Sequence, residues 1–120
     1  EWTQARRRVA ARYNELLAGL PVTTPYEAPG MRHVYHQYTI RAPRRDELQT
    51  FLKEQGIGTM IYYPVPLHLQ EIYAGMGLGK DSFPEAERAA QEVLSLPIYP
   101  ELKDEQVVQI ANSIGRFYGP

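Results

Sequence analysis

Residues Gly56–Gln70, GIGTMIYYPVPLHLQ, constrain the fold more than any other stretch of this chain. A glycine able to end a helix opens it, and a short apolar, β-branched run follows. Pro64-Val65-Pro66 then forms a rigid corner. Proline locks φ and removes an N–H, so neither a helix nor an interior strand passes through that corner. Tyr62 and Tyr63 precede it and His68 follows it. Rings and an imidazole are thus held where the backbone is stiff, a placement suited to lining a site.

The flanking sequence supplies alternating elements. Glu1–Leu20 reads as an amphipathic helix with Trp2, Ala5, Val9, Tyr13, Leu16, Leu17 and Leu20 on one face. Arg6, Arg7, Arg8 and Arg12 lie mostly off that stripe and read as a solvated face. Pro21–Gly30 is a proline-rich loop. His33–Ala42 alternates as a strand, with Val34, His36, Tyr38 and Ile40 on one face and Tyr35, Gln37, Thr39 and Arg41 on the other. Large groups on both faces predict a central strand. Arg44–Gln55 is a helix with Leu48, Phe51 and Leu52 inward, stopped by Gly56.

Ile57–Tyr63 reads as a second strand and Leu67–Ala74 as a helical turn offering Leu67, Leu69, Ile72 and Tyr73 for burial. Gly75–Lys80 is a glycine-rich loop. Ser82 and Glu85 have capping-box spacing at the start of a helix over Phe83–Leu94, whose inner face carries Ala86, Ala89, Ala90, Val93 and Leu94. Leu94–Tyr99 is a short third strand, placed at an edge or bulge by Pro97. Lys103–Tyr118 is the last helix, with Val107, Ile110, Ala111, Ile114 and Phe117 inward. The expected architecture is a two-layer α+β sandwich with a small, mainly antiparallel sheet of about three strands covered by helices. No repeat or linker divides residues 1–120, which form a single domain: a leading helix over 1–20 and a small α+β unit over 33–118.

Composition narrows the chemistry. The 120 residues are 43% hydrophobic and 22% charged, with a net charge of -1, and give no nucleic-acid or membrane footprint. There are no cysteines, which fits a reducing compartment. His33 and His36 fall on opposite faces of an alternating strand, so the three histidines do not make a zinc site. The Walker pattern fails at Ala74 and Asp81, and the dinucleotide pattern fails at Lys80. Asp46, Glu47, Asp104 and Glu105 sit at helix starts, where they complement the helix dipole. Ser82 and Ser95 have no neighbouring histidine and no nucleophile elbow. Lys53, Lys80 and Lys103 lie in polar or glycine-rich surroundings, unsuited to Schiff-base chemistry. Tyr62, Tyr63 and His68 remain, with His36 behind them. From residue type alone, packing at the corner is the stronger reading of these rings.

Four ordered segments carry a resemblance over nearly the whole chain: RRRVAARYNELLAGL, HVYHQYTIR, RDELQTFLKEQGIGTMIYYPVPLHLQ and FPEAERAAQEVLSLPIYPEL. Together they resemble the C-terminal small domain of the DegT/DnrJ/EryC1/StrS aminotransferases. The resemblance implies a fragment of a larger, cytoplasmic, homodimeric enzyme that uses pyridoxal 5'-phosphate (PLP). Such an enzyme transfers an amino group, from glutamate, to a UDP- or dTDP-linked keto sugar in nucleotide-sugar, polysaccharide or lipopolysaccharide biosynthesis. It also implies that the cofactor lysine and phosphate-binding residues lie upstream, so that this chain holds no catalytic or cofactor-binding residue and is inert alone. Tyr63, Pro64, Pro66 and His68 match the family's H-Y-x-x-P-L-H segment, which faces the cleft. Tyr62 stands where the family often has His. Substrate-binding roles are therefore expected for Tyr62, Tyr63 and His68. Two other readings stand beside this one: a PLP-dependent sugar dehydratase relative, and a stand-alone binding or interaction module. A domain built to pack on a larger one is also expected to expose an apolar patch in isolation.

Overall fold

The computed structural model describes residues 1–119. Its elements run α1 (Trp2–Leu16), β1 (Tyr38–Arg41), α2 (Arg45–Glu54), α3 (Pro84–Glu92), β2 (Val93–Leu96) and α4 (Asp104–Tyr118), with 3-10 turns at Leu67–Leu69 and Glu71–Met76. The α+β class holds, but the sheet has two strands rather than about three. β1 and β2 are antiparallel, in the register Tyr38 to Leu96 through Arg41 to Val93. Single antiparallel bridges extend the sheet on each side, Thr23 to Arg41 and Met60 to Ser95. The chain order across the layer is thus Thr23, β1, β2, Met60.

The expected strand over 57–63 is reduced to the Met60 bridge, closed by Ser95 N–H to Met60 O at 2.7 Å and Met60 N–H to Ser95 O at 3.1 Å. Beyond it the prolines bring no donors to extend the ladder. The expected strand over 33–42 begins only at Tyr38. Tyr35 adopts φ 48°, a left-handed conformation that breaks the alternation, and its N–H donates to Nδ1 of His33 at 2.9 Å. Tyr35 and Tyr38 are therefore both buried, while Val34 and His36 are exposed, against the expected faces. Thr39 and Arg41 are only half-buried, so β1 is sealed on one face. The third strand falls over Val93–Leu96 instead of 94–99, and Ser95 within it is paired on both sides, to Thr39 and to Met60.

The core joins Tyr13 and Leu17 of the leading segment, Tyr38 and Ile40 of β1, Leu48 and Leu52 of α2, Leu94 of β2, and Val107 and Ile114 of α4, each no more than 1% exposed. α4 packs against both α1 and α2, α2 reaches β2, and α3 lies on β1. Two phenols organise this core. Tyr13 and Tyr38 stack with ring centroids 4.8 Å apart. Their hydroxyls donate to Pro97 O at 2.9 Å and to Asn14 Oδ1 at 2.6 Å. Trp2, expected on the inner face, is exposed, and so is Ala86 of α3. Leu67, Leu69, Ile72 and Tyr73, offered for burial by their spacing, stay exposed.

The arginines of α1 are more than a solvated face. Arg7 pairs with Glu27 at 2.7 Å and donates to His33 O at 2.6 Å, fastening the proline-rich loop to the helix. Arg12 bridges Glu15 at 2.7 Å and Asp104 at 2.8 Å, tying α1 to the start of α4. Among the described residues no helix is long and apolar enough to cross a membrane.

Candidate functional site

The segment after the Met60 bridge leaves the sheet and carries the candidate rings outward. Tyr62 and Tyr63 meet edge to face, with centroids 5.6 Å apart. Tyr63 is 72% exposed and Tyr62 37%, so both phenols are presented to solvent rather than packed. Tyr62 shares a shallow groove of about 180 Å³ with His36, Thr59, Met60 and Ser95. His36 lines the same groove as Tyr62, although it is not on a regular strand. Below the groove, the hydroxyls of Thr39 and Ser95 are 2.7 Å apart.

His68 is set differently. It lies in the 3-10 turn Leu67–Leu69 and is buried, 8% exposed. Its Nε2 is 2.8 Å from Oε1 of Glu87 on α3, and its ring meets Phe83 edge to face at 4.9 Å. The structure thus brings Tyr62 and His36 to one groove, sets Tyr63 against Tyr62, and seats His68 against α3.

Glu87 is the residue that sequence spacing did not single out. Ser82 and Glu85 do not form the expected capping box: the Ser82 hydroxyl accepts from Gly79 N–H at 3.2 Å, and Glu85 pairs with Arg88. Glu87 instead accepts from Asp81 N–H at 2.9 Å and from Phe83 N–H at 3.3 Å, closing the loop that enters α3. The Asp81 bond, helped by those from His68 and Phe83, holds the Glu87 carboxyl below the usual carboxylate range against the opposing effect of burial. Glu87 is therefore an anion at neutral pH. Its signal in the sequence was the pair of acidic residues in the first turn, Glu85 and Glu87, of which only the second points at the loop.

Lys53, Lys80 and Lys103 are all exposed. None of the three therefore sits in the desolvated pocket that activates a lysine for Schiff-base chemistry. Among the described residues there is also no group of three ligating side chains suited to a metal ion.

The chain is similar to known proteins along nearly its whole length. It is 58% identical, over 98% of its residues, to a "pleiotropic regulatory protein" of Geobacillus stearothermophilus, and covers 32% of that protein. It is 43% identical, over 96% of its residues, to a UDP-N-acetyl-3-dehydro-alpha-D-glucosamine 3-aminotransferase of Acidithiobacillus ferrooxidans, and covers 31% of it. Among solved structures it matches DesV of S. venezuelae with a TM-score of 0.95 and 41% identity, over 99% of this chain and 32% of that one. The chain thus spans about a third of the length of these relatives. The model of the DegT/DnrJ/EryC1/StrS aminotransferase family matches residues 1–115, and the chain belongs to that family.

Proposed function

We propose that the chain is the C-terminal small domain of a PLP-dependent, homodimeric, cytoplasmic aminotransferase acting on a nucleotide-linked keto sugar. The observation that carries this reading is the fold match to DesV at a TM-score of 0.95 with 41% identity. In the parent reaction glutamate gives up its amino group and leaves as 2-oxoglutarate, and the sugar keto carbon becomes an amino carbon. The cofactor, with the lysine that binds it, belongs to the part of the enzyme outside this chain. PLP supplies the electron sink for that exchange when bound.

The chain's own share is orientation. A nucleotide sugar offers hydroxyl and phosphate oxygens. The exposed phenols of Tyr62 and Tyr63 can each donate to such an oxygen, and His68 supplies a fixed imidazole on the same segment. Substrate held by groups on a rigid corner spends less entropy in reaching the reactive geometry.

The test is turnover by the full-length enzyme with glutamate and UDP- or dTDP-keto hexoses, read by mass spectrometry as amino sugar and by 2-oxoglutarate release. Tyr63→Phe and His68→Ala should lower kcat/KM for the sugar about tenfold each, the worth of one positioning hydrogen bond. PLP absorbance should be unchanged. Loss of bound PLP would assign these residues to the fold or the cofactor instead. A second reading is favoured by the regulatory name of the 58% identical relative. On that reading the protein is a binding module, and neither product forms with any keto sugar offered.

A further inference from the structure

The pair formed by His68 and Glu87 assigns a role that neither residue has on its own. His68 is the polar link between the 3-10 turns and α3, with 6% of its side chain exposed against 11% for Glu87. Glu87 uses both of its oxygens. Oε1 takes His68 Nε2 at 2.8 Å and Phe83 N–H at 3.3 Å, and Oε2 takes Asp81 N–H at 2.9 Å. An ionised carboxylate only accepts hydrogen bonds. Nε2 must then carry the proton of that bond, and in the neutral ring Nδ1 is left with the free lone pair. Nδ1 has no protein partner among the described residues, and no side-chain nitrogen or oxygen sealed from solvent there lacks one. Nδ1 therefore keeps contact with solvent.

We propose that Glu87 is a positioning residue: it fixes His68 as the Nε2–H tautomer and so presents Nδ1 as an acceptor for a hydroxyl of the bound sugar. The tautomer follows from the geometry of this chain alone, and the sugar contact rests on the function proposed above. Phe83 reinforces the arrangement, because its ring packs on the imidazole while its N–H shares Oε1. The loop before α3 is thereby part of the same device. Asp81 holds φ 71°, an uncommon conformation for a residue with a side chain, and its N–H is turned onto Glu87.

The experiment is 15N NMR of the histidine-labelled 120-residue chain, whose three histidines are assigned with His68→Gln, His33→Gln and His36→Gln. In its neutral form, wild-type His68 should show a protonated Nε2 and an unprotonated Nδ1. Glu87→Ala should give a mixture of tautomers. Glu87→Gln should keep the Nε2–H form, because its amide oxygen still accepts, while the Asp81 amide loses its acceptor and exchanges faster. A wild-type Nδ1–H ring overturns the proposal without any variant, and so does a pure Nε2–H ring in folded Glu87→Ala. In the full-length enzyme, Glu87→Ala should raise KM for the sugar about tenfold with kcat nearly unchanged, and Glu87→Gln should recover most of it. An unchanged KM overturns the sugar contact while leaving the aminotransferase reading intact. Absence of wild-type turnover sinks that reading and leaves the tautomer result standing.

Discussion

At the scale of single residues, the two stacked phenols of the core bear most on stability. Tyr13 and Tyr38 are fully buried, and each hydroxyl has one partner. Burial, reinforced by Tyr38 and Tyr99, pushes the Tyr13 phenol above its ordinary range; burial, reinforced by Tyr35, does the same for Tyr38. Both protons are thus retained in the folded state where an unfolded chain would lose them, near pH ~10. The folded pKa is the higher one, so this stability is fully present below pH ~10 and is lost as pH rises toward the folded values. Urea unfolding followed from pH 8 to 11 should show a midpoint that falls steeply above about pH 10. Tyr13→Phe should cost about 1 kcal/mol at neutral pH, from the orphaned Pro97 carbonyl, and flatten the alkaline fall. Tyr38→Ala should cost about 3–5 kcal/mol, the range for emptying an aromatic site. An alkaline profile identical in Tyr13→Phe and wild type would show that Tyr13 does not carry the effect.

At the scale of elements, the junction between α3 and β2 hangs on a buried arginine. Arg45 opens α2, yet it is only 8% exposed. Its guanidinium donates to Val93 O at 2.8 Å and to Ala90 O at 3.0 Å, while Asp46 neutralises it at 2.6 Å. One fork thereby satisfies carbonyls at the end of one helix and the start of the next strand, a geometry that suits Arg and not Lys. Arg45→Ala should lower stability by about 2–3 kcal/mol, and Arg45→Lys should restore less than half of that. The readout is the urea midpoint at unchanged slope. A loss under about 0.5 kcal/mol in Arg45→Ala would mean the carbonyls find water instead. The same element explains what was legible in the sequence. α2 and α4 lie within a residue or two of their expected bounds, because a helical apolar stripe and a glycine stop are local signals. The stretches at 33–37 and 57–63 alternate just as convincingly, but only tertiary pairing makes a strand. Tyr35 turns left-handed in the first, and β2 offers Met60 alone a place in the second. Arg45 and Glu87 escaped notice for a related reason. Apart from Asp46, their partners are backbone groups and a histidine, which no side-chain pattern announces. The exposed Tyr62 and Tyr63 were legible as a pair because the proline corner is written in the sequence.

At the scale of the whole molecule, the chain is extended and one arm of it is uncovered. Its radius of gyration is 15.9 Å, against about 14 Å for a compact domain of this length. The segment from Tyr63 to Phe83 accounts for many of its exposed apolar side chains: Tyr63 at 72%, Leu67 at 69%, Ile72 at 81%, Met76 at 65% and Phe83 at 49%. Its two 3-10 turns pack mainly on each other, with His68 as the polar anchor to α3. Apolar residues scattered singly on a surface need no explanation, whereas so many on one segment mark a surface meant to be covered. The 120-residue chain in solution should therefore bind a hydrophobic dye while fully folded. The double variant Leu67→Lys with Ile72→Lys should abolish most of that dye signal. It should leave the thermal midpoint within about 2 °C, since neither side chain is buried and exposed sites contribute little to stability. Tyr26→Lys, at a site 79% exposed but outside the arm, is the control and should leave the signal as it is. A double variant that melts earlier and keeps its dye binding would show that the arm folds back onto the body in solution. Loss of dye at constant stability would locate the uncovered surface on the same segment that carries Tyr63 and His68, so that whatever covers it also closes over those rings.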